Sequence, residues 1–443
     1  MKQSFNSDNF IKIFYSENKK GVYLESKYTI FKPIKKHTNS ISKINQNFKD
    51  NQYNSEKLKE KANRVKDKLK ERKYRKLEGI FSDLENTIES QGINFKLISG
   101  KSISNKQTYK IENTGDSPEI FFALKQVQNN IKASFKVRPS NRYEISNQVI
   151  NMLDNDFPKC VIRTDIESFF ESIPHDKLKE KLNKNYILNA ESKNIINKIL
   201  GQYSKLSKTD KGIPRGVGVS PYLAELYMRD IDNKIKALPN LTYYARYVDD
   251  MILVFTPNTK YDKTCHLNKI LKIIKSEELQ LKEEKTKAYN LYENSCIQLD
   301  FLGYEIVKVN TIKINVSITD SKVSKYKEKI DSSIKYYTRS INYDEKSARK
   351  LLRNRLKYLT GNTRLLNVKK DILIGIYFSN ILLTDTKKLK ELDDYLKYKL
   401  DKLNPTINLQ DKFSKYSFEK GFKEKTFYKF DVKTLKAILN IWR

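Results

Sequence analysis

Apolar and polar positions fall into three textures along the chain. Up to about residue 110 the sequence is strongly polar, and SEKLKEKANRVKDKLKERKYRKLEGIFSDLENTI (55–88) sets helix-forming residues around a thin apolar stripe at Leu58, Val65, Leu69, Leu77 and Phe81. This spacing predicts one long helix with most of its surface in water, either a plain solvated face or an arm lying on nucleic acid. From about 120 to 310, short β-branched and aromatic runs alternate with helical stretches and glycine-bearing loops, an α+β pattern. Beyond about 320 the chain turns helical and basic again, most clearly in KYKEKIDSSIKYY and SARKLLRNRLKYLTGNTRLLNVKK. No internal repeat and no proline-rich or glycine/serine-rich linker separates these regions, so they are expected to pack together. The division expected is a basic, largely helical extension over 1–110, a functional core over 111–320 and a basic helical region over 321–443.

Three pieces of the core carry chemistry. In PKCVIRTDIESFFESIPHDKL (158–178), residues 160–166 suit a buried strand that ends in Asp165 and turns into a short helix through Phe169 and Phe170. An acid at the end of a buried strand points into a cleft, although a lone Asp165 is more often a helix cap or a salt-bridge partner. In GIPRGVGVSPYLAELYMRDIDNKIK (212–236), Gly212, Gly216 and Gly218 form a loop able to approach a ligand, with Ser220 as helix cap and Pro221 at the first helical position. The helix that follows should bury Leu223, Tyr227, Ile231 and Ile235, and a glycine loop feeding a helix start suits a phosphate or nucleotide.

The third piece, YYARYVDDMILVF (243–255), reads as a β-hairpin with Asp249 and Asp250 at or beside its turn. Two adjacent carboxylates between apolar strands are costly unless positive charge compensates them. If their edge of the sheet lies beside the end of the Asp165 strand, three carboxylates converge and call for divalent cations. Magnesium suits such oxygen ligands beside a nucleotide triphosphate. Two such ions, about 3.5–4 Å apart, support in-line phosphoryl transfer, activating a 3′-hydroxyl and neutralising the departing pyrophosphate.

Composition narrows the partners. A chain of 443 residues that is 38% hydrophobic can fill two or three domain cores, and its formal charge of +33, from 86 Lys+Arg against 53 Asp+Glu, points to a polyanion, nucleic acid first. The joint abundance of Lys, Asn, Ile and Tyr also fits a biased genome, which dilutes the charge argument. No run of about 18 apolar residues is present to cross a bilayer, and the polar start MKQSFNSDNF lacks the apolar core of a secretory signal, so a cytoplasmic location away from membranes is expected. The three cysteines, Cys160, Cys265 and Cys296, are too widely spaced for a zinc pair, and His37, His175 and His266 are too scattered for a metal cluster.

The motifs together resemble reverse transcriptases. YVDD (247–250) is similar to the active-site signature, RTDIESFF to the palm strand with the first aspartate, IPRGVGVSP to the nucleotide-binding loop and helix, LKEEKTKAYN to the basic segment after it, and LDFLGYEI to the primer-grip hairpin. Five elements in the family's order over about 120–310 form a specific signal. The resemblance implies a right-hand polymerase fold, with fingers, a palm built on an antiparallel sheet and a helical thumb, preceded by a helical N-terminal extension. It implies an RNA-directed DNA polymerase in which Asp165 and Asp249 hold two Mg2+ ions, with Mn2+ as the alternative, Asp250 assists, and the backbone carbonyl of Ile166 is a further ligand. Phe170 falls where the family sets an aromatic ring against the 2′ position of the sugar, although core packing is the competing role. Lys285 matches a lysine that protonates the leaving pyrophosphate, against the alternative of a solvated charge. Lys136, Arg138 and Arg142 resemble fingers cations that hold the triphosphate, with Arg215 and Gly216 also at the nucleotide. Tyr247, Phe301, Leu302, Gly303 and Tyr304 would support the primer end. Arg215 is a departure: many relatives have glutamine there, and arginine could add a phosphate or base contact. His175 is expected to be structural.

No acidic ribonuclease H domain or Cys/His-paired endonuclease module follows the core, which argues against a retroviral or full mobile-intron enzyme. The C-terminal segment has the size of a thumb plus an extension, and Arg349, Arg353, Arg355, Lys357 and Arg364 suit contacts with a template-primer duplex. YLTGNTRLLNVKKDILIGIYFSN resembles the corresponding region of bacterial stand-alone reverse transcriptases of the unknown group, several of which act in antiviral defence with a non-coding RNA or a second protein. The expected partners are an RNA template, dNTPs and a DNA product, with a second protein or a homo-oligomer as further candidates. Competing readings are a retron enzyme, an RNA polymerase or template-independent terminal transferase, and a non-catalytic nucleic-acid-binding scaffold.

Overall fold

The computed structural model describes residues 3–103, 105–112, 114–137, 140–184, 187–256, 263–291, 296–309, 313–365, 372–403, 413 and 415–442. The chain divides into two units. The first comprises 1–139, 164–244 and 264–286, and the second 140–163, 245–263 and 287–443.

In the first unit the helices α1 (Ser7–Lys19), α2 (Lys32–Lys49) and α3 (Glu56–Gln91) precede α4 (Pro118–Phe135). The long helix expected over 55–88 is present as α3. Ser55 caps its start by accepting the Leu58 amide, and Gly92 ends it at φ +66 with ψ −175, a backbone conformation that glycine alone adopts readily. Burial is deepest in its C-terminal half, at Leu77 and Phe81; in the N-terminal half Ala62 is buried and Leu69 half-buried, whereas Leu58 and Val65 are exposed. Phe81 joins Phe10, Phe14, Phe31 and Phe122 in one aromatic cluster, with Phe81 and Phe122 meeting edge to face at 4.9 Å. Because Phe122 belongs to α4, the polar N-terminal region shares its core with the segment that follows. The unit continues with α5 (Phe169–Ser172) and α6 (Ser220–Lys236), which buries Leu223, Tyr227, Ile231 and Ile235 as their four-residue spacing requires.

The second unit is built on a four-stranded sheet of β1 (Lys159–Asp165), β2 (Leu241–Tyr247), β3 (Asp250–Phe255) and β4 (Lys287–Leu291), in the order β2-β3-β1-β4. Two of these strands cross the division between units, β1 at its end and β2 at its start. β1 and β4 are antiparallel, with Lys159 opposite Leu291 and Arg163 opposite Lys287. A three-stranded antiparallel sheet follows, β5 (Cys296–Phe301), β6 (Tyr304–Val309) and β7 (Asn315–Ile318). The helices α7 (Asp320–Ser340), α8 (Glu345–Thr360) and α9 (Lys387–Asp401) then enclose an apolar core that includes Ile330, Leu352, Leu356, Leu392 and Leu396. Among the described residues no helix is long and apolar enough to cross a membrane.

Candidate active site

β1 carries an apolar run, Cys160, Val161 and Ile162, that is fully buried and drives the strand into the interior. It ends on Asp165, which is only 6% exposed. A carboxylate so placed needs a cation, and Lys285 supplies one: its Nζ lies 2.6 Å from Asp165 Oδ2. Next along the chain, Lys282 N–H donates to the Asp165 carbonyl at 2.8 Å and Glu167 N–H to the Gln280 carbonyl at 2.9 Å. These two bonds bracket Ile166 opposite Leu281, a non-hydrogen-bonded antiparallel pair, so the Ile166 carbonyl points away from that segment.

The hairpin of β2 and β3 is formed as the sequence predicts. Its turn places Val248 at φ +62, a left-handed conformation that a β-branched residue rarely adopts, and Arg246 Nη1 donates to the Val248 carbonyl at 2.8 Å. Tyr247 and Asp249 are half-buried at the turn, and Asp250 opens β3. Arg163 forks Asp250 from β1, Nε to Oδ1 and Nη2 to Oδ2 both at 3.2 Å, with the side chains 13% and 15% exposed. One of the adjacent carboxylates is thus compensated by a protein cation. The sequence reading named bound ions alone for that task. The missed signal was an arginine directly after the apolar run of that strand, two residues before Asp165.

Carboxylates and a backbone carbonyl are hard oxygen donors, the class of ligand that divalent cations take. Among the described residues no three Asp, Glu, His or Cys side chains are grouped as a metal site.

The glycine loop is fastened to α5. Ile213 N–H donates to the Phe170 carbonyl and Gly212 N–H to the Ile173 carbonyl, each at 2.7 Å. Gly216 is left-handed at φ +98, and a Cβ there would sit 2.7 Å from the Tyr109 carbonyl, so only glycine fits. Phe169 is buried in the core while Phe170 is half-buried. Ser220 does not cap α6: Val219 holds that position, and the buried Ser220 hydroxyl donates to the Pro214 carbonyl at 2.7 Å, bracing the loop from within. His175 is structural, as expected. Its Nε2–H donates to the Gly212 carbonyl and its Nδ1 accepts from the Ser204 hydroxyl, and burial pushes its pKa down, so it is neutral at pH 7.

The fingers cations separate. Lys136 is exposed just beyond α4, in the left-handed region at φ +52, and lines a groove of about 1220 Å³ together with Lys12, Lys125 and Lys132. Arg138 lies outside the described residues. Arg142 was expected at the triphosphate; instead its guanidinium donates to the Leu302 carbonyl and supports the β5–β6 turn. In that turn Leu302 and Gly303 both have positive φ, +46 and +76, as a two-residue type I′ hairpin requires. The flanking Phe301 and Tyr304 face each other and are buried, so they hold the turn's shape from beneath.

In α8 the two arginines part company. Arg353 is exposed, but Arg355, expected on the template-primer duplex, is 1% exposed. Its guanidinium lies 4.3 Å from the centroid of the Tyr336 ring, and burial lowers its pKa to about 10, so it is a packing residue of the helical core and not a surface contact. The periodicity of α8 places residue 355 one turn from Leu352 and Leu359, the pattern that could have shown this.

Residues 117–306, from the start of α4 into β6, match the family model described as "Reverse transcriptase (RNA-dependent DNA polymerase)". This stretch, somewhat under half of the chain, is thus similar to a reverse transcriptase domain. Solved structures similar to it include apo telomerase from Candida tropicalis truncated of its C-terminal domain, at 14% identity and a TM-score of 0.35, covering 55% of this chain and 60% of that one. Telomerase from Candida albicans in complex with a TWJ fragment of telomeric RNA is similar at 12% identity and a TM-score of 0.34, covering 82% of this chain and 66% of that one. The chain thus spans about 60% of the length of the first of these telomerases. No curated protein matches the chain by sequence.

Proposed function

We propose that the chain copies an RNA template into DNA, adding dNTPs to a 3′ end. The observation that carries this reading is the buried Asp165 at the end of β1, matched to Lys285 and followed by an Ile166 carbonyl turned off its ladder, inside the segment that matches the reverse transcriptase family. Asp165, Asp249, Asp250 and the Ile166 carbonyl supply the oxygen donors for Mg2+, with Mn2+ as the alternative, and bound cations would activate the 3′-hydroxyl and neutralise the leaving pyrophosphate. Lys285 carries the proton that goes to the pyrophosphate oxygen, Phe170 faces the sugar and excludes a 2′-hydroxyl, and Lys136 meets the triphosphate. Residues 111–320 act as fingers and palm, 321–443 as thumb and extension, and 1–110 as a basic helical extension. The likeness of 358–380 to unknown-group enzymes supports a cytoplasmic role in bacterial antiviral defence with a dedicated non-coding RNA, and with a second protein or a further copy of the chain as partner.

Two measurements test this. Primer extension with dNTPs or rNTPs, with and without an RNA template, should give DNA only when template is present; equal synthesis without template would point to a terminal transferase. Sequencing the nucleic acid that co-purifies with the protein from its host should return one recurrent RNA and its complementary DNA, and a random collection would remove the dedicated template.

A further inference from the structure

The arginine at position 215 is the departure from the family pattern, and the structure gives it partners. Its guanidinium lies over the ring of Phe170, 4.6 Å from the centroid, while Nε and Nη2 fork the two carboxylate oxygens of Glu171 at 3.0 and 3.1 Å. Phe170 and Glu171 are consecutive residues of α5, a helix of only four residues, entered through Ser168 in the left-handed region at φ +44. So short a helix has little rigidity of its own.

Its backbone is fixed from outside by the bonds from Gly212 and Ile213, and the loop is fixed in turn because Tyr109 N–H donates to the Arg215 carbonyl at 2.7 Å. Tyr109 and Tyr203 meet edge to face at 5.0 Å in the same neighbourhood, and burial, with Tyr109 and Glu171 nearby, raises the Tyr203 hydroxyl to about 12. Glycine is required on both sides: a Cβ at Gly212 would lie 2.9 Å from the Glu171 carbonyl, and one at Gly216 would lie 2.7 Å from the Tyr109 carbonyl. These bonds hold the main chain on both sides of Phe170. Its ring meets Phe169 edge to face at 5.8 Å, and the Arg215 side chain covers its face.

We propose that Glu171 and Arg215 are positioning residues that clamp Phe170 and thereby set the choice between deoxyribose and ribose. This rests on the reading of Phe170 as the residue facing the sugar. A planar guanidinium stacked on a ring and forked by a carboxylate has one orientation, and it limits how far the ring can tilt. A lysine would supply the charge without the plane or the fork. Since Glu171 already balances the charge of Arg215, the arginine acts on the ring more than on the triphosphate.

The test is kcat/KM for a dNTP and its matching rNTP on one RNA template-primer, for the wild type, Phe170→Ala, Glu171→Gln, Arg215→Lys and the double variant Glu171→Gln/Arg215→Lys. Melting of each variant is recorded to confirm folding, and Glu171→Gln, which exchanges a single atom at a half-exposed position, guards against a collapse caused by Arg215→Lys. Glu171→Gln and Arg215→Lys should each lower the dNTP preference by about tenfold, mainly through a lower KM for the rNTP, Phe170→Ala should abolish it, and the double variant should add little to either single one because both act through one ring. A wild-type preference in Glu171→Gln and Arg215→Lys, with the preference lost in Phe170→Ala, would overturn the clamp and leave the role of Phe170 standing. If Phe170→Ala also keeps the preference, or the wild type shows none, the clamp and the sugar-facing reading fall together.

Discussion

Arg163→Met isolates what the compensating cation beside Asp250 contributes. The fork holds two N–O contacts of 3.2 Å between side chains that are 13% and 15% exposed, so the pair is largely desolvated. Removing one partner of a buried ion pair costs about 3–5 kcal/mol, and the residual exposure brings the expectation here to about 2–3 kcal/mol. At roughly 2–4 °C per kcal/mol for a folding unit of this size, the melting temperature should fall by about 5–10 °C. The double variant Arg163→Met/Asp250→Asn removes the stranded charge as well and should recover at least half of the loss. Thermal melting read by circular dichroism at pH 7 measures both. Magnesium adds a second readout: once Arg163 is gone, Asp250 is left with more negative charge to offer a cation, so added Mg2+ should raise the melting temperature of Arg163→Met more than that of the wild type. An Arg163→Met protein that melts like the wild type, or a double variant that melts as low as the single one, would refute the claim that Arg163 is the charge that makes Asp250 tolerable.

Three further outcomes follow from the same geometry. His175 is held neutral by burial below its ordinary pKa, so its contribution to stability is present above the unfolded value near 6.5 and is lost as pH falls through the lower folded value; melting between pH 7.5 and 5 should show this decline, and His175→Gln should flatten it. Arg353→Ala should weaken duplex binding and reduce its salt dependence by about one counterion, whereas Arg355→Met should leave the salt slope unchanged, and binding titrations at several salt concentrations separate the two. Leu302→Asn relieves a left-handed leucine in a type I′ turn and should stabilise the protein by about 0.5–1 kcal/mol in urea unfolding, provided that Arg142 keeps its bond to the residue 302 carbonyl.

Local patterns carried much of this fold. The long helix α3, the buried strand ending in Asp165, the aspartate hairpin and the buried face of α6 all follow from spacing and turn chemistry between near neighbours. What stayed hidden was pairing across long stretches of chain. Arg163 and Asp250 are 87 positions apart, Lys285 and Asp165 are 120 apart, and Arg142 reaches Leu302 across 160. No linear pattern announces which of 86 basic residues will turn inward. Ser220 shows the converse error: its type and place suit a cap, but burial directs its hydroxyl to Pro214. Arg355 was read as surface charge in a basic helix, although its register puts it on the apolar face with Leu352 and Leu359.

The most direct test of the account is RNA-templated dNTP incorporation by Asp165→Asn, Asp249→Asn and Arg163→Met proteins beside the wild type, each confirmed as folded by melting. Both asparagine variants should lose incorporation by at least about a thousandfold while keeping template-primer binding, and Arg163→Met should keep measurable synthesis. Incorporation at the wild-type rate in either asparagine variant would contradict the assignment of these carboxylates to the reaction.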